Sequence, residues 1–465
     1  MVAPQLQRML DDWRAEDDAL NAEIEQMQPV DGLAADPAFR VRTTVLEDAL
    51  GRVQVVTPEQ SLLDLDSLCG KLGRDLEPLE RPELEKLVQR FRFDELPALP
   101  ELTGLTAVVD PAVLKHERIY VSAGEGGYFL PLSRRLFERA LGKHSKAVPC
   151  AVPLAHIQVN RDDPDQDLQQ INQAISQFTS LRITQRLEDT LEMPPLPETA
   201  QRIINLRCDP NAGIPELADV VETDPSLAAQ VVSWASSSFY AAPGRINSVQ
   251  DAIVRVLGFD LVMNLSMGLA LGKTLQVPRE VPAGFTPYWE QAVWTATLSG
   301  ALSTAMETED KPAYGLAYLS GLLHNFGYLV LAHVFPPHFR LILRYQQANP
   351  HLDAELTEHF LIGITREQIA SQLMDVWNMP AEVVTALRHQ KNPGYAGEHA
   401  DYSRLIYVAT QLLRAQGLSE GPAQSVPEGV WEALELSPVK AEETLLQLLE
   451  LSDEMKGLAA MMASS

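Results

Sequence analysis

The sequence predicts a multidomain protein, with an N-terminal mixed α/β domain followed by an all-α helical domain. Three observations predict it. The chain has 465 residues, more than a single core usually organises. β-branched runs separated by turn signals are confined to residues 41–132. From Pro194 onward nearly every segment carries a helical apolar period with capping residues at its ends.

Taken in order, residues 1–28 read as one acidic amphipathic helix, because Met9, Trp13, Leu20, Ile24 and Met27 recur near helical spacing. Residues 41–57 hold two β-branched runs around Asp48-Ala49-Leu50-Gly51, a hairpin signal. Residues 59–73 and 80–92 read as helices, and residues 105–110 and 118–122 as strands. Gly124-Glu125-Gly126-Gly127 turns into a strand over 128–132, and 133–142 reads as a helix. A polar break at NRDDPDQD precedes a helical stretch from Leu168 to Leu187. Beyond it, Asp224-Pro225 pairs an N-cap with a first-turn proline, where no N–H partner is needed. Ser248 with Asp251 reads as a capping box, and Gly258 as the helix stop. Further helices are expected at 261–272, 286–306, 312–323, 336–348, 353–361, 366–377, 380–390 and 401–416, with one or two more across 428–460. The expected division is an acidic helix over 1–37, an α/β domain over 38–150 and a helical connector over 151–193. The all-helical domain follows over 194–415, then a C-terminal helical extension over 416–465.

Charge narrows the partners. Thirty-seven Lys and Arg against 63 Asp and Glu give a net charge of −26, a field that repels nucleic acid and anionic membrane at long range. A local exception is SRRLFERALGKHSK, where Arg134, Arg135, Arg139, Lys143 and Lys146 face Glu138 alone. These cations suit a phosphate backbone, an acidic partner segment, or simply a solvated helix face. Three scattered cysteines form neither a CxxC pair nor an even disulfide set. No run of eighteen apolar residues appears, and the start is acidic rather than basic then apolar. The expectation is a cytoplasmic protein with no membrane association.

The helical half carries the most specific pattern. It contains Pro195-Leu196-Pro197, Val221-Glu222-Thr223-Asp224-Pro225-Ser226-Leu227, Ile246-Asn247-Ser248 and Ala252-Ile253-Val254-Arg255-Val256-Leu257-Gly258. Later come Gly321-Leu322-Leu323-His324-Asn325-Phe326-Gly327 and Trp377-Asn378-Met379-Pro380. In this order these motifs resemble HDOD domains, helical relatives of the HD phosphohydrolases. The resemblance implies where a metal site would stand: imidazole and carboxylate ligands converging from several helices to acidify a bound water. The first His position reads Gln291, and the His-Asp pair reads His324-Asn325. The next His position reads Arg366, the double His reads Arg388-His389-Gln390, and the distal Asp reads Thr410. The expectation is therefore no metal, no cofactor and a cavity filled by side chains, with Arg366 and Arg388 suited to a small anionic ligand. His324 and His389 are expected to bond backbone or cap helices.

Residues 38–145 resemble the YbaK/prolyl-tRNA editing family, a mixed α/β fold whose members deacylate mischarged tRNA. Val109-Asp110-Pro111-Ala112-Val113-Leu114 and Glu117-Arg118-Ile119-Tyr120-Val121 carry that resemblance. The family's positioning lysine falls at Arg42 or Thr43, and its Gly-rich loop reads Leu96 to Gly104 with Gly104 as its one glycine. A loop poor in glycine brings backbone N–H groups less close to a substrate.

Together these readings imply a non-catalytic bacterial signalling protein that uses the HDOD module as an interaction scaffold for a protein partner. The alternatives are an aminoacyl-tRNA deacylase, with tRNA as partner, working through Arg42 or Thr43, and a metal-dependent phosphohydrolase.

Overall fold

The structure is a computed structural model, and it describes all residues except 1, 17, 26, 143–144, 183–195, 208, 210–211, 238–239, 241–243, 276, 279–280 and 464–465. By contact the chain forms two compact units. One comprises residues 1–158, 281–284 and 340–357, and the other residues 159–280, 285–339 and 358–465.

The first unit is mixed α/β. Its strands are β1 Val30–Asp31, β2 Val41–Asp48, β3 Gly51–Pro58, β4 Ser61–Leu63, β5 Glu77–Pro78, β6 Thr106–Val109, β7 Arg118–Ser122, β8 Tyr128–Ser133, β9 Lys146–Ala147 and β10 Ala151–Pro153. A five-stranded sheet runs β5-β2-β3-β6-β9, a three-stranded sheet β1-β8-β7, and β4 pairs with β10. The β2–β3 hairpin sits where the β-branched runs put it, antiparallel, with β6 and β9 added in parallel. The segment expected as a helix from 59 begins instead as β4, because Leu62 and Leu63 are both buried and no face is left for water.

The helices of this unit are α1 Pro4–Glu16, α2 Asp18–Glu25, α3 Leu65–Leu72, α4 Arg81–Arg90, α5 Pro100–Thr103 and α6 Arg134–Leu141. Helices α1 and α2 flank residue 17, which lies outside the described residues, and the continuity of the single expected helix falls there. Leu6, Met9, Leu10 and Trp13 on α1 and Ile24 on α2 join Val121, Leu130, Leu132, Leu136 and Phe137 in one core. The Asp110 of the Val109-Asp110-Pro111 motif is a tie, accepting from the N–H groups of Ala112, Cys150 and Ala151 at 2.8, 2.7 and 2.8 Å.

The second unit is all-helical among its described residues. It holds α7 Asp167–Arg182, α8 Glu198–Arg207, α9 Ile214–Glu222, α10 Pro225–Ala235, α11 Val249–Ala252 and α12 Phe259–Gly272. It continues with α13 Tyr288–Ala305, α14 Tyr314–Leu323, α15 Phe326–Val334, α16 Pro336–Ala348, α17 Ala354–Ile362, α18 Arg366–Val376, α19 Ala381–His389 and α20 Ala400–Ala415. It ends with α21 Glu428–Ala433, α22 Pro438–Leu449 and α23 Ser452–Ala463, three helices where one or two were expected. Residues 340–348 of α16 and 354–357 of α17 belong by contact to the first unit. Helix α15, absent from the reading of the sequence, follows α14 after a break at His324-Asn325. Both helices are apolar all round, which hides the period that would separate them. Tyr314–Val334 has the length and hydropathy of a membrane span, and 89% of it is buried in the core.

Local signals explain the ends. Asp224 caps α10 by accepting from Ser226 and Leu227 N–H at 3.0 and 3.1 Å. Ser248 caps α11 through Asp251 N–H at 3.0 Å, while Asp251 reaches back to Asn247 N–H at 3.2 Å. The chain then widens into one π-helical stretch, Ile253–Leu257, and stops at Gly258 with φ +79°. Pro195, the first residue of the Pro195-Leu196-Pro197 motif, lies outside the described residues, as does the end of the predicted connector helix.

Close approach of α13 and α14 fixes the centre of this unit. A Cβ at Gly321 would lie 2.7 Å from both Ala296 Cα and Thr295 O, which are backbone atoms that cannot swing aside. Gly321→Ala is expected to lower stability by about 3 kcal/mol, read from the denaturant midpoint at constant slope. An unchanged midpoint would mean that the two helices are not in contact there.

Candidate functional site

The positions where HD-type ligands would stand fall in the second unit, on α13, α18, α19 and α20 and the α14–α15 break. Two arginines dominate them, and each is neutralised by a buried carboxylate.

Arg366 opens α18. Thr365 caps that helix in a reciprocal box with Gln368, whose Oε1 accepts from Thr365 N–H at 2.9 Å. The guanidinium forms an ion pair with Glu358, and the Arg366 backbone N–H donates to Glu358 Oε2 at 2.9 Å. Its Nη1 donates to Asn325 Oδ1 at 2.8 Å, and the guanidinium carbon sits 5.4 Å from the Tyr328 ring centroid. The Glu358 side chain is 0% exposed and that of Arg366 is 12%. Burial alone would depress the guanidinium, but Glu358 and Glu367 outweigh it and hold it above the ordinary arginine range. Burial pushes the Glu358 carboxyl up, and Arg366 opposes that. Gly327 permits this close packing: a Cβ there would be 2.0 Å from Arg366 O. A protein-borne cation thus binds the Asn325 amide.

Arg388, near the end of α19, pairs through Nε and Nη2 with Asp167, whose side chain is also 0% exposed. Its Nη2 donates to Asn160 O at 3.0 Å. Asp167 Oδ1 further accepts from Gln368 Nε2 at 2.7 Å and Asn160 Nδ2 at 3.2 Å. These bonds seat the segment around 160–170 on α18 and α19.

The remaining positions point inward, and all but His389, whose buried Nδ1 has no hydrogen-bond partner among the described residues, are locally satisfied. His324 Nδ1 bonds Gly321 O at 2.7 Å, and its carbonyl accepts from Gln390 Nε2 at 2.7 Å. Burial, aided by the cations Lys391, Arg366 and Arg414, pushes the imidazole down to about 4, so it is neutral near pH 7. His389 stacks on Tyr395 at 3.7 Å with the rings nearly parallel, and burial followed by Arg388 depresses it. Gln291 Nε2 donates to Thr286 O at 2.8 Å, and Thr410 Oγ1 donates to Ile406 O at 2.7 Å within its own helix. Among the described residues no three His, Cys, Asp or Glu side chains are grouped to hold a metal ion.

A divalent ion does not fit this donor set. Asn325 is neutral and Gln291 and Thr410 are turned to backbone. Arg366 places a positive charge beside Asn325, where an ion would meet Coulomb repulsion. The reading of the sequence named Arg366 and Arg388 but neither carboxylate. The available signal was physical, since a buried guanidinium demands a counter-charge. Asp167 lay hidden in a stretch read as a polar break.

In the first unit, Arg42 and Thr43 lie on β2. Arg42 Nη1 bonds His351 Nδ1, and burial pushes the guanidinium down to about 10, with Glu95 and Glu59 opposing. Thr43 Oγ1 donates to Val55 O at 3.4 Å. Arg134 donates to Lys115 O at 2.9 Å and pairs with Glu117 at 2.9 Å. Arg139 pairs with Glu16 and lies 5.4 Å from the Trp13 ring, so the acidic segment it meets belongs to this chain. Arg135 is exposed, and Lys143 lies outside the described residues.

The depressed His324 has a measurable consequence. Its folded value of about 4 lies below the ordinary 6.5, so the unfolded chain binds the proton more readily. Its contribution is complete above pH ~6.5 and is lost as pH falls toward ~4, up to about 3 kcal/mol. His324→Asn keeps a donor for Gly321 O without the titration. Wild type minus variant stability should fall across that window, and a constant difference would refute a buried neutral imidazole.

The HDOD domain family matches residues 193–393. A crystal structure of a candidate signal transduction protein from Marinobacter aquaeolei VT8 is 48% identical over 94% of this chain and 96% of that one, with a TM-score of 0.86. A protein of Treponema pallidum (strain Nichols) is 24% identical over 279 residues, 60% of this chain, and the match spans about half (52%) of that relative's length. A candidate trans-editing enzyme for prolyl-tRNA synthetase covers 32% of this chain and is itself covered over 99%, at 14% identity and a TM-score of 0.25, too slight a likeness to carry an argument. Residues 193–393 of this chain thus belong to the HDOD domain family, within a chain similar over nearly its full length to the Marinobacter protein.

Proposed function

We propose that this chain is a non-catalytic signalling protein whose HDOD domain serves as an interaction scaffold for a protein partner, and that it works in the cytoplasm. The observation that supports this most is the Arg366–Glu358 pair bonded to Asn325. A metal-dependent hydrolase needs an open coordination position and a water acidified by a cation. Here the cation is a guanidinium, which offers only donors and cannot bind a water as a Lewis acid. Arg388 is likewise spent on Asp167, so neither arginine retains a free charge for a small anionic ligand. The full-length likeness to the Marinobacter protein supports a signalling role, because that protein is described as a candidate in signal transduction.

The N-terminal unit, which we read as YbaK-like, extends the same argument. Editing chemistry depends on positioning an aminoacyl ester. Arg42 holds His351, and Thr43 bonds its own sheet. We infer that this unit binds rather than deacylates.

Elemental analysis of protein purified without chelators should show no stoichiometric divalent metal. The same protein should hydrolyse neither phosphodiesters nor mischarged tRNA. One tightly bound metal per chain, lost with an activity in His324→Ala, would overturn the reading for the helical domain. Deacylation abolished by Arg42→Ala would overturn it for the N-terminal unit.

A further inference from the structure

Residues 340–357 lie far along the chain from the sheets of the first unit, yet belong to it by contact. Their polar side chains meet one strand edge in register. β4 uses alternate residues toward its partner β10: Asp64 N–H donates to Cys150 O at 2.8 Å, and Gln60 O accepts from Leu154 N–H at 3.2 Å. Alternation leaves Ser61 and Leu63 to present their backbone groups on the opposite edge. An open edge of this kind is a template for another chain.

Two side chains of the distant segment cover it. Asn349 Oδ1 accepts from Leu63 N–H at 2.7 Å, and its Nδ2 donates to Leu63 O at 3.1 Å. One primary amide thus makes both bonds a neighbouring strand would make. Two residues on, His351 Nε2 bonds Ser61 O at 3.0 Å, and its Nδ1 faces Arg42 Nη1. With Nε2 donating and Nδ1 accepting, the ring is a single neutral tautomer. Burial and Arg42 hold it well below the ordinary histidine range.

The contact extends along the helix. Thr44 Oγ1 donates to Ala348 O at 3.1 Å, meeting a carbonyl left unpaired at the end of α16. Tyr345 Oη donates to Asp64 Oδ1 at 2.9 Å and accepts from Asp66 N–H at 3.1 Å. Arg344 Nη2 donates to Leu76 O at 2.6 Å, and its Nε pairs with Glu77 at 2.8 Å.

We propose that the free edge of β4, with Arg42 and Thr44 beside it, is a peptide-recognition surface whose built-in occupant is the chain's own Arg344–His351. The edge backbone reads the side chains of Asn349 and His351, and the flanking Thr44 reads the backbone carbonyl of Ala348. The occupant's chemistry is an Arg-Tyr pair at a helix end, followed by Asn and His two residues apart. Occupancy in cis also withholds Arg42 from any other ligand. The proposal deepens the reading of the N-terminal unit as a binding module and rests on it.

The test uses the full chain and a labelled synthetic peptide of residues 340–357. The variant N349A/H351A should bind the peptide with a Kd below about 0.1 mM. Wild type should bind at least tenfold more weakly, because its own segment competes at an effective concentration of millimolar order. A peptide carrying the same two alanines should lose binding to the variant. No binding to the folded variant, or equal binding of both peptides, overturns the proposal. If the variant does not fold by circular dichroism, hydrogen exchange of wild type decides. The Leu63 amide and residues 344–351 should open together at least tenfold faster than α13 and α14, and exchange only with global unfolding would contradict it. Deacylation of mischarged tRNA by wild type would instead sink the binding-module reading, so the two failures are distinguishable.

Discussion

The buried pair of Arg366 and Glu358 is the constraint around which the helical domain is arranged. A guanidinium taken out of water is costly unless a carboxylate and further acceptors meet it. Here Glu358 takes both the side chain and the backbone N–H of Arg366, Asn325 takes a third donor, and the Tyr328 ring covers the group. This set ties the N-terminus of α18 to α17 and to the start of α15. Gly327 is then obligatory in practice, because Arg366 O lies where any Cβ would go. These helices are held together through a charge fixed to the chain.

A second buried pair works in the same way. Arg388 stands where the resemblance placed an imidazole, and Asp167 supplies the balancing charge from the start of α7. Gln368 joins the two centres, capping α18 with Oε1 and bonding Asp167 with Nε2. The segment that enters the HDOD domain is therefore not a passive spacer. Its order depends on Arg388, and anything that displaces Asp167 must leave a cation buried or expose it.

Much of this was legible beforehand, and the exceptions have physical causes. The hairpin of residues 41–58, the capped helix at Asp224 and the helices from α16 to α20 were plain, because periodicity and capping are local. Helix α15 and the strand at Ser61–Leu63 were not, because both are apolar on every face. The positions Gln291, Asn325, Arg366, Arg388 and Thr410 were singled out through the resemblance. Their partners were not: Glu358, Asp167 and His351 lie 8, 221 and 309 residues from the arginines they meet. Burial creates the need for a partner, but sequence order does not say which residue answers it.

The central claim is that the buried Arg366–Glu358 pair holds the N-terminus of α18 to α17. A double-mutant cycle of Arg366→Met and Glu358→Leu measures it directly. Each single change strands one buried charge or its partner and should cost roughly 3–5 kcal/mol, whereas the double change removes both. The account predicts a coupling energy above about 2 kcal/mol in chemical denaturation. Additivity within about 0.5 kcal/mol would contradict it.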